Sequence, residues 1–335
     1  MKSLVYRGKA GLVCEETPKP SPTPGQALLR ISNCGICGSD LFLFKNGILR
    51  DGTVMGHELS GVVEEMGEGA AGFKPGDRVI ARPQGCGECK WCLERKENIC
   101  NKRRSIGLGG RPGGFAEFMV VDSDMIIPAP EGLPLEQACM ADQFGSALHG
   151  MNVVGFRKGE KVLVTGAGPI GLSAVILLKH KGASKVVVFD PDENRSSTAL
   201  EFGADAAVST GSIQSVSREH FGADGPDIIL ECSGNSKAVE AAIQTAPFGG
   251  RIGLVGMASA PATFIPMLVF QKHLTIIGCF GNTQDECREC MDIMAAGAPA
   301  GKLITKRVSI EQLPAAFDEL LKSKEQTKIV MDASL

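Results

Sequence analysis

The sequence predicts an α/β protein in which a doubly wound parallel sheet is joined to a second, mostly β part. Three observations carry this. From Lys161 onward, apolar strand-like runs alternate with helical stretches, the pattern of a parallel sheet covered on both faces. Up to about residue 150 the texture is different: short β-rich runs punctuated by Gly and Pro. The chain is 335 residues long with 43% apolar and 22% charged residues, enough for two cored domains rather than one. A net charge of −3 gives no global basic field for nucleic acid or anionic membrane. The longest apolar runs, such as Ile170–Leu178, fall far short of a membrane span of about 18 residues. The opening Met1–Arg7 has no apolar signal core, so a cytoplasmic chain is expected. Its twelve cysteines then read as including thiolate metal ligands rather than a disulfide scaffold.

In the first part, Ala27–Ile31, Ser60–Glu64 and Asp77–Ile80 read as strands. In the second, Lys161–Thr165 and Lys185–Phe189 are buried strands flanking an apolar helix, Gly171–His180, and Asp227–Leu230, Arg251–Val255 and Leu274–Ile277 supply further strands. Helices over Cys287–Ala296 and Leu313–Lys322 precede a last strand, Lys328–Met331.

Gly166-Ala167-Gly168-Pro169-Ile170-Gly171 fits G-x-G-x-x-G. It follows an apolar strand, opens a helix, and is followed 19 residues after its last glycine by Asp190 at the end of the next strand. In that context the glycines allow a tight turn and close approach of a pyrophosphate, the helix N-terminus supplies N–H donors, and the carboxylate can take a ribose diol. The run reads as a Rossmann dinucleotide site, the plain alternative being a Gly-rich strand-to-helix turn that binds nothing. Asp190 repels a 2′-phosphate, so NAD is favoured over NADP, although Arg195 nearby could meet such a phosphate.

Cys86-x2-Cys89-x2-Cys92-x7-Cys100 is the strongest single signal, four thiolates able to close a tetrahedral, structural zinc site. Lys90, Arg95, Lys96, Lys102, Arg103 and Arg104 surround it and would offset its negative charge, or simply form a solvated loop. A second, open metal site is suggested by Cys37-Gly38-Ser39-Asp40, Gly56-His57-Glu58 and Asp142: one thiolate, one imidazole and one carboxylate would leave a position for water or substrate. Singly, each has a plain alternative: Cys37 a buried thiol, His57 a core histidine, Asp142 a helix N-cap.

Taken in order, the Cys34-Gly35-Ile36-Cys37-Gly38-Ser39-Asp40 run, Gly56-His57-Glu58-x2-Gly61, the four-cysteine lobe and the nucleotide motif resemble the zinc-dependent medium-chain dehydrogenase/reductase family over essentially the whole chain. Arg111–Glu117 and Asp142–His149 look like threonine dehydrogenases, whereas Cys37–Leu41 and Phe44–Gly47 look like galactitol-phosphate dehydrogenases. The resemblance implies a GroES-like catalytic domain over residues 1–150 and 285–335, a Rossmann domain over 151–284, and an active site in the cleft. It implies two zinc ions per chain, one structural on the four cysteines and one catalytic on Cys37, His57 and Asp142, with Glu58 beside the metal as a fourth or alternating ligand. Asp40 would orient the His57 ring and Ser39 would take the proton from the alcohol. Pro169, Ile170, Asp190, Arg195, Leu254-Val255-Gly256 and Cys279-Phe280-Gly281 match cofactor contacts. Cys34 is expected to be a buried thiol, and Cys287 and Cys290 to bind no metal.

Four positions depart from the pattern. Phe42 stands where the family often has a proton-relaying histidine, Asp142 where the polyol branch mostly has glutamate, and Pro83 and Asn282 where threonine-type enzymes often have histidine and arginine. The implied activity is NAD-linked oxidation of a secondary alcohol to a ketone, with a polyol, diol or hydroxy-amino acid as substrate. The alternatives are a phosphorylated sugar alcohol or, in a different class, a non-catalytic zinc- and nucleotide-binding regulator. Phe42, Phe44, Phe115 and Phe280 would make the substrate site apolar, unless they are core. Relatives pair nucleotide domains as homodimers and homotetramers, and Lys272–Phe280 matches the edge strand used.

Overall fold

The computed structural model describes residues 1–323 and 325–335. The chain divides into two compact units, Met1–Asp142 with Thr283–Leu335, and Gln143–Asn282. The sequence expectation set these limits at 150/151 and 284/285. The observed division at 142/143 lies inside a helix, Ala141–Val153, so no turn residue marks it in the sequence.

Strands β1 (Lys2–Tyr6), β2 (Leu12–Glu16), β3 (Gln26–Gly35), β4 (Glu58–Met66), β5 (Arg78–Ala81), β6 (Phe118–Asp122) and β7 (Ile126–Pro128) belong to the first unit. The second unit holds β8 (Lys161–Thr165), β9 (Lys185–Phe189), β10 (Ala206–Val208), β11 (Ile228–Glu231), β12 (Arg251–Leu254) and β13 (Thr275–Gly278). The chain then returns to the first unit with β14 (Ile304–Val308) and β15 (Lys328–Asp332).

In the first unit β1 and β2 form an antiparallel hairpin, and the main sheet runs β14-β15-β3-β4-β5-β7 with β6 also on β3. β3 is its axis. Its far end lies between β4 and β15, pairing Gly35 with both Glu58 and Val330. Around the sheet Leu4, Leu29, Ile31, Leu59, Val63, Phe115 and Phe317 form the core. Phe115 meets Phe317 edge to face at 5.8 Å, and Phe44 meets Phe317 at 5.9 Å. Phe115 is thus buried core and the half-buried Phe44 packs against the same cluster; aromatic edge-to-face geometry holds them.

The second unit is one six-stranded parallel sheet in the order β10-β9-β8-β11-β12-β13. The order reverses between β8 and β11, which opens a crevice at the carboxyl ends of those two strands. The three-residue β10, Ala206-Ala207-Val208, had no β-rich signature to announce it. The apolar helix spans Pro169–His180, starting two residues earlier than read because Pro169 occupies its first turn. The helix Gln284–Ala295 likewise starts earlier, behind a Thr283–Glu286 capping box. Among the described residues no helix is long and apolar enough to cross a membrane.

Candidate metal centres and nucleotide crevice

Cys89 ends the loop that precedes a short helix, Lys90–Leu93, so Cys89 and Cys92 are presented one turn apart and Cys86 and Cys100 fold back against them. Sulfur–sulfur distances are 3.6 Å for Cys89–Cys92, 3.7 Å for Cys89–Cys100 and 4.0 Å for Cys86–Cys92. A tetrahedral ion with Zn–S bonds of about 2.3 Å needs neighbouring sulfurs about 3.8 Å apart. The four thiols fit zinc. Gly85 is required here, since a Cβ on it would stand 2.5 Å from Cys92 Sγ. Backbone N–H groups of Glu88 and Cys89 lower the Cys86 pKa to about 6, whereas desolvation pushes Cys92 up to about 12. Several of the surrounding cations are paired nearby, Lys102 with Glu88, Lys90 and Lys96 with Glu94, and Arg95 with Asp285. Arg104 and Arg111 both bind Asp122, tethering the lobe to β6.

The second cluster forms where β3 turns into the helix Gly38–Lys45 and where β4 begins. Ligand atoms of Cys37, His57 and Glu58 lie within 4.8 Å of one another. Asp40 is fully buried. Its Oδ2 accepts from the Cys37 N–H at 2.9 Å, and its Oδ1 stands 3.3 Å from His57 Nδ1. The latter contact is not aligned as a hydrogen bond, yet among the described residues neither atom has another hydrogen-bond partner. Asp40 is thus placed to fix the ring, leaving Nε2 toward the cluster, where Ser39 Oγ lies 3.3 Å away. Burial alone would lower the His57 pKa; the charges of Asp40 and Cys37 outweigh it and hold it well above the ordinary value.

Glu58, 2% exposed, is bound by Lys328, 1% exposed, whose ammonium also donates to the Ile36 carbonyl at 3.0 Å. Desolvation opposes the charged form of Lys328, but Glu58 and then Cys37 more than compensate. The pair passes over Gly35, where a Cβ would stand 2.7 Å from both Glu58 Oε2 and Lys328 Cε. Sequence reasoning missed Lys328: a lysine opening an apolar strand reads as its solvated flank.

Asp142 is not in this cluster. Half-buried in the first turn of Ala141–Val153, it instead acts electrostatically on Arg103 and Cys287. The structure therefore brings Glu58, not Asp142, together with Cys37 and His57. Phe42 is half-buried, and Pro83 is buried. Cys34, Cys287 and Cys290 are buried thiols outside both clusters.

In the second unit Gly166 leaves β8 at φ 93°, and a Cβ on it would stand 2.8 Å from Ser233 N and Cα. A Cβ on Gly171 would stand 1.9 Å from the Gly166 carbonyl. Gly168, capping the helix Pro169–His180, is different: nothing lies within 4 Å of where its Cβ would be. That open flank at a helix N-terminus is the room a pyrophosphate needs. Gln143 steadies the same turn, donating to Ser173 Oγ at 2.8 Å and to the Pro169 carbonyl at 3.2 Å. Ile170 lies half-buried beside them. Asp190 directly follows β9 and accepts from the Ala167 and Asp192 N–H groups at 2.8 and 3.0 Å. The Arg195 N–H donates to the N-cap Asp192. Leu254-Val255-Gly256 and Cys279-Phe280-Gly281 leave β12 and β13 side by side, joined by Cys279 N–H to the Leu254 carbonyl at 2.9 Å. Asn282 is buried against Gly145 and Ser146.

This pairing of a four-thiol lobe and a mixed-ligand cluster with a parallel nucleotide-type sheet defines a class. Residues 23–131 match the alcohol dehydrogenase GroES-like domain, and residues 169–296 match the zinc-binding dehydrogenase domain. The chain belongs to the zinc-dependent medium-chain alcohol dehydrogenase family and is an oxidoreductase. It is 33% identical over 345 aligned residues to an L-threonine 3-dehydrogenase of Stenotrophomonas maltophilia, covering 99% of each chain. Among solved structures it resembles a short chain alcohol dehydrogenase of Escherichia coli CFT073 complexed with NADH (TM-score 0.92, 28% identity, 99% of each chain). It also resembles a zinc-binding dehydrogenase of Sinorhizobium meliloti bound to NADP (TM-score 0.92, 26% identity, 99% and 98% of the chains).

Proposed function

We propose that the protein oxidises a secondary alcohol to a ketone with NAD, reversibly, at the Cys37–His57–Glu58 cluster. The observation carrying this is Ser39 Oγ, 3.3 Å from His57 Nε2, a hydroxyl beside a three-donor metal cluster. Zinc held by Cys37, His57 and Glu58, with Asp142 as an exchanging or additional ligand, would polarise the alcohol oxygen, and the dinucleotide would accept hydride. Ser39 takes the hydroxyl proton and, with Phe42 in place of a histidine relay, releases it to water or to the cofactor ribose. Asp40 holds the His57 ring in the ligand-ready tautomer, and Lys328 holds the Glu58 carboxyl in place. Overall, alcohol and NAD+ give ketone, NADH and one proton.

NAD is preferred because the Asp190 carboxylate, fixed by two main-chain N–H groups, faces any 2′-phosphate with like charge. Leu254-Val255-Gly256 and Cys279-Phe280-Gly281 flank the remainder of the dinucleotide, with Arg195 near the adenosine. The substrate is a neutral diol or short secondary alcohol. Buried Asn282 and Pro83 offer no charge to an amino acid. Likeness to a threonine dehydrogenase favours threonine as the second reading. The decisive experiment measures kcat/KM with diols, polyols, threonine and sugar-alcohol phosphates, using NAD and NADP. Diol turnover with NAD at least tenfold above NADP is expected; preference for NADP, or for threonine, overturns the corresponding assignment. Ser39→Ala should lower kcat strongly while NADH affinity stays unchanged; unaffected turnover removes Ser39 from the proton path.

The chain pairs with a second copy through the second unit. There, among the described residues, the edge strand β13 carries no partner on its outer side, and the helix Pro266–Lys272 that precedes it has no buried residue and exposes Phe270 at 79%.

A further inference from the structure

Glu231 is a fully buried carboxylate at the last position of β11, paired in register with Thr165 at the last position of β8. These are the two strands between which the sheet order reverses, so Glu231 lies at the floor of the nucleotide crevice. A buried anion beneath a site for a doubly charged pyrophosphate is electrostatically unfavourable, and desolvation duly raises its pKa. Its hydrogen bonds give the reason for its presence.

The Oε1 atom accepts from the Ser233 N–H at 2.8 Å, from the Ser233 hydroxyl, and at the limit of 3.5 Å from the Thr165 hydroxyl. The Oε2 atom accepts from the Gly234 N–H at 3.2 Å. The main-chain carbonyl of the same residue accepts from the N–H groups of both Val255 and Gly256, each at 2.8 Å. One residue thus gathers donors from the ends of three strands, β8, β11 and β12. The turns that follow these strands meet backbone to backbone. A Cβ on Gly166 would strike Ser233, and one on Gly256 would stand 2.2 Å from Gly234 N. Gly234, at φ 65°, would bring a Cβ to 2.9 Å from the Met257 carbonyl. Turns packed this closely hold their mutual position only if something fixes the middle one. Every side-chain contact Glu231 makes is to a donor, so the site needs a group that accepts at both ends. A carboxylate does so, whereas an amide would set its NH2 against a donor.

We propose that Glu231 is a positioning residue for the dinucleotide. Its carboxylate clasps the Ser233–Gly234 turn and its carbonyl the Val255–Gly256 turn, setting the Gly166–Gly171 loop in its cofactor-ready shape before the cofactor arrives. The inference rests on the reading of this unit as an NAD site. Its consequence is a split between binding and chemistry.

The test is NADH binding, followed by the rise in nicotinamide fluorescence, in the zinc-loaded wild type, Glu231→Gln and Glu231→Ala. Glu231→Gln keeps one acceptor and should weaken NADH several-fold; Glu231→Ala should weaken it at least tenfold. With saturating NAD, kcat and the KM for the alcohol should stay within twofold of wild type, and zinc content should not change. If Glu231→Ala fails to fold, Glu231→Gln alone carries the same comparison. Wild-type binding of NADH with unchanged affinity in the variants overturns the role of Glu231 alone, as does a parallel fall in kcat, zinc content and melting temperature. A wild type that binds neither NADH nor NADPH overturns the cofactor reading itself.

Discussion

A lysine with 1% of its surface exposed stays charged only beside a compensating anion, and Lys328 has one in Glu58. The converse holds for Glu58. Removing either partner leaves a buried charge alone, an outcome that costs about 3–5 kcal/mol. Lys328→Met should therefore lower the free energy of unfolding in urea by that order, and adding Glu58→Gln to it should recover most of the loss. A loss below about 1 kcal/mol would mean that the pair is solvated in solution. At the same scale the metal set is open to test. Glu58→Gln and Asp142→Asn should differ in bound zinc, with Glu58→Gln losing the reactive-site ion and both retaining one zinc on the four cysteines. An equal loss in both variants would make Asp142 a full ligand alongside Glu58.

Among elements, the four-cysteine lobe gives a pH prediction. Once zinc is removed, Cys86 ionises at about pH 6 while Cys92 remains a thiol until about pH 12. Iodoacetamide labelling, read by mass spectrometry, should thus rise at Cys86 between about pH 5 and 7 and level off above. Cys92 should stay unlabelled at pH 8, and zinc should protect both. Zinc binding displaces protons from the thiols still protonated, so affinity at the lobe should fall as the medium is acidified. Equal labelling of the two thiols at pH 8 would show that their environments do not differ. The helix Gln284–Ala295 begins with a capping box in which Thr283 Oγ1 accepts from the Glu286 N–H. Thr283→Ala should cost about 1 kcal/mol by chemical denaturation.

Much of this was legible in the sequence where partners are neighbours along it. The lobe cysteines span 15 residues, from 86 to 100, and the glycine loop follows directly on its strand, so spacing alone conveyed their chemistry. Lys328 and Glu58 are 270 residues apart, and only the β15-β3-β4 register brings them together. No local pattern encodes that. Glu231 was hidden for a similar reason: a carboxylate ending an apolar strand looks like the start of a solvated turn. Of the two acids that the family pattern offered as ligands, Glu58 lies within reach of Cys37 and His57, whereas Asp142 opens a helix outside that cluster.

For the whole molecule, the exposed face on Pro266–Lys272 sets the expectation for assembly. Phe270→Glu should shift the species seen by size-exclusion chromatography with light scattering from dimer or tetramer toward monomer. An unchanged mass would place the contact elsewhere.

The first unit is written in two instalments, with the whole second unit between them. β15, which lies in the middle of its sheet beside β3, and Phe317, which closes its aromatic cluster, leave the ribosome only after the whole second unit. The nucleotide-type unit is complete in sequence by residue 282 and can fold while synthesis continues. The metal-binding unit must wait, with the β3 edge unpaired and Glu58 without its cation, until Lys328 emerges. A nascent chain stalled before that point should resist protease over residues 143–282 and be cut readily between residues 26 and 66.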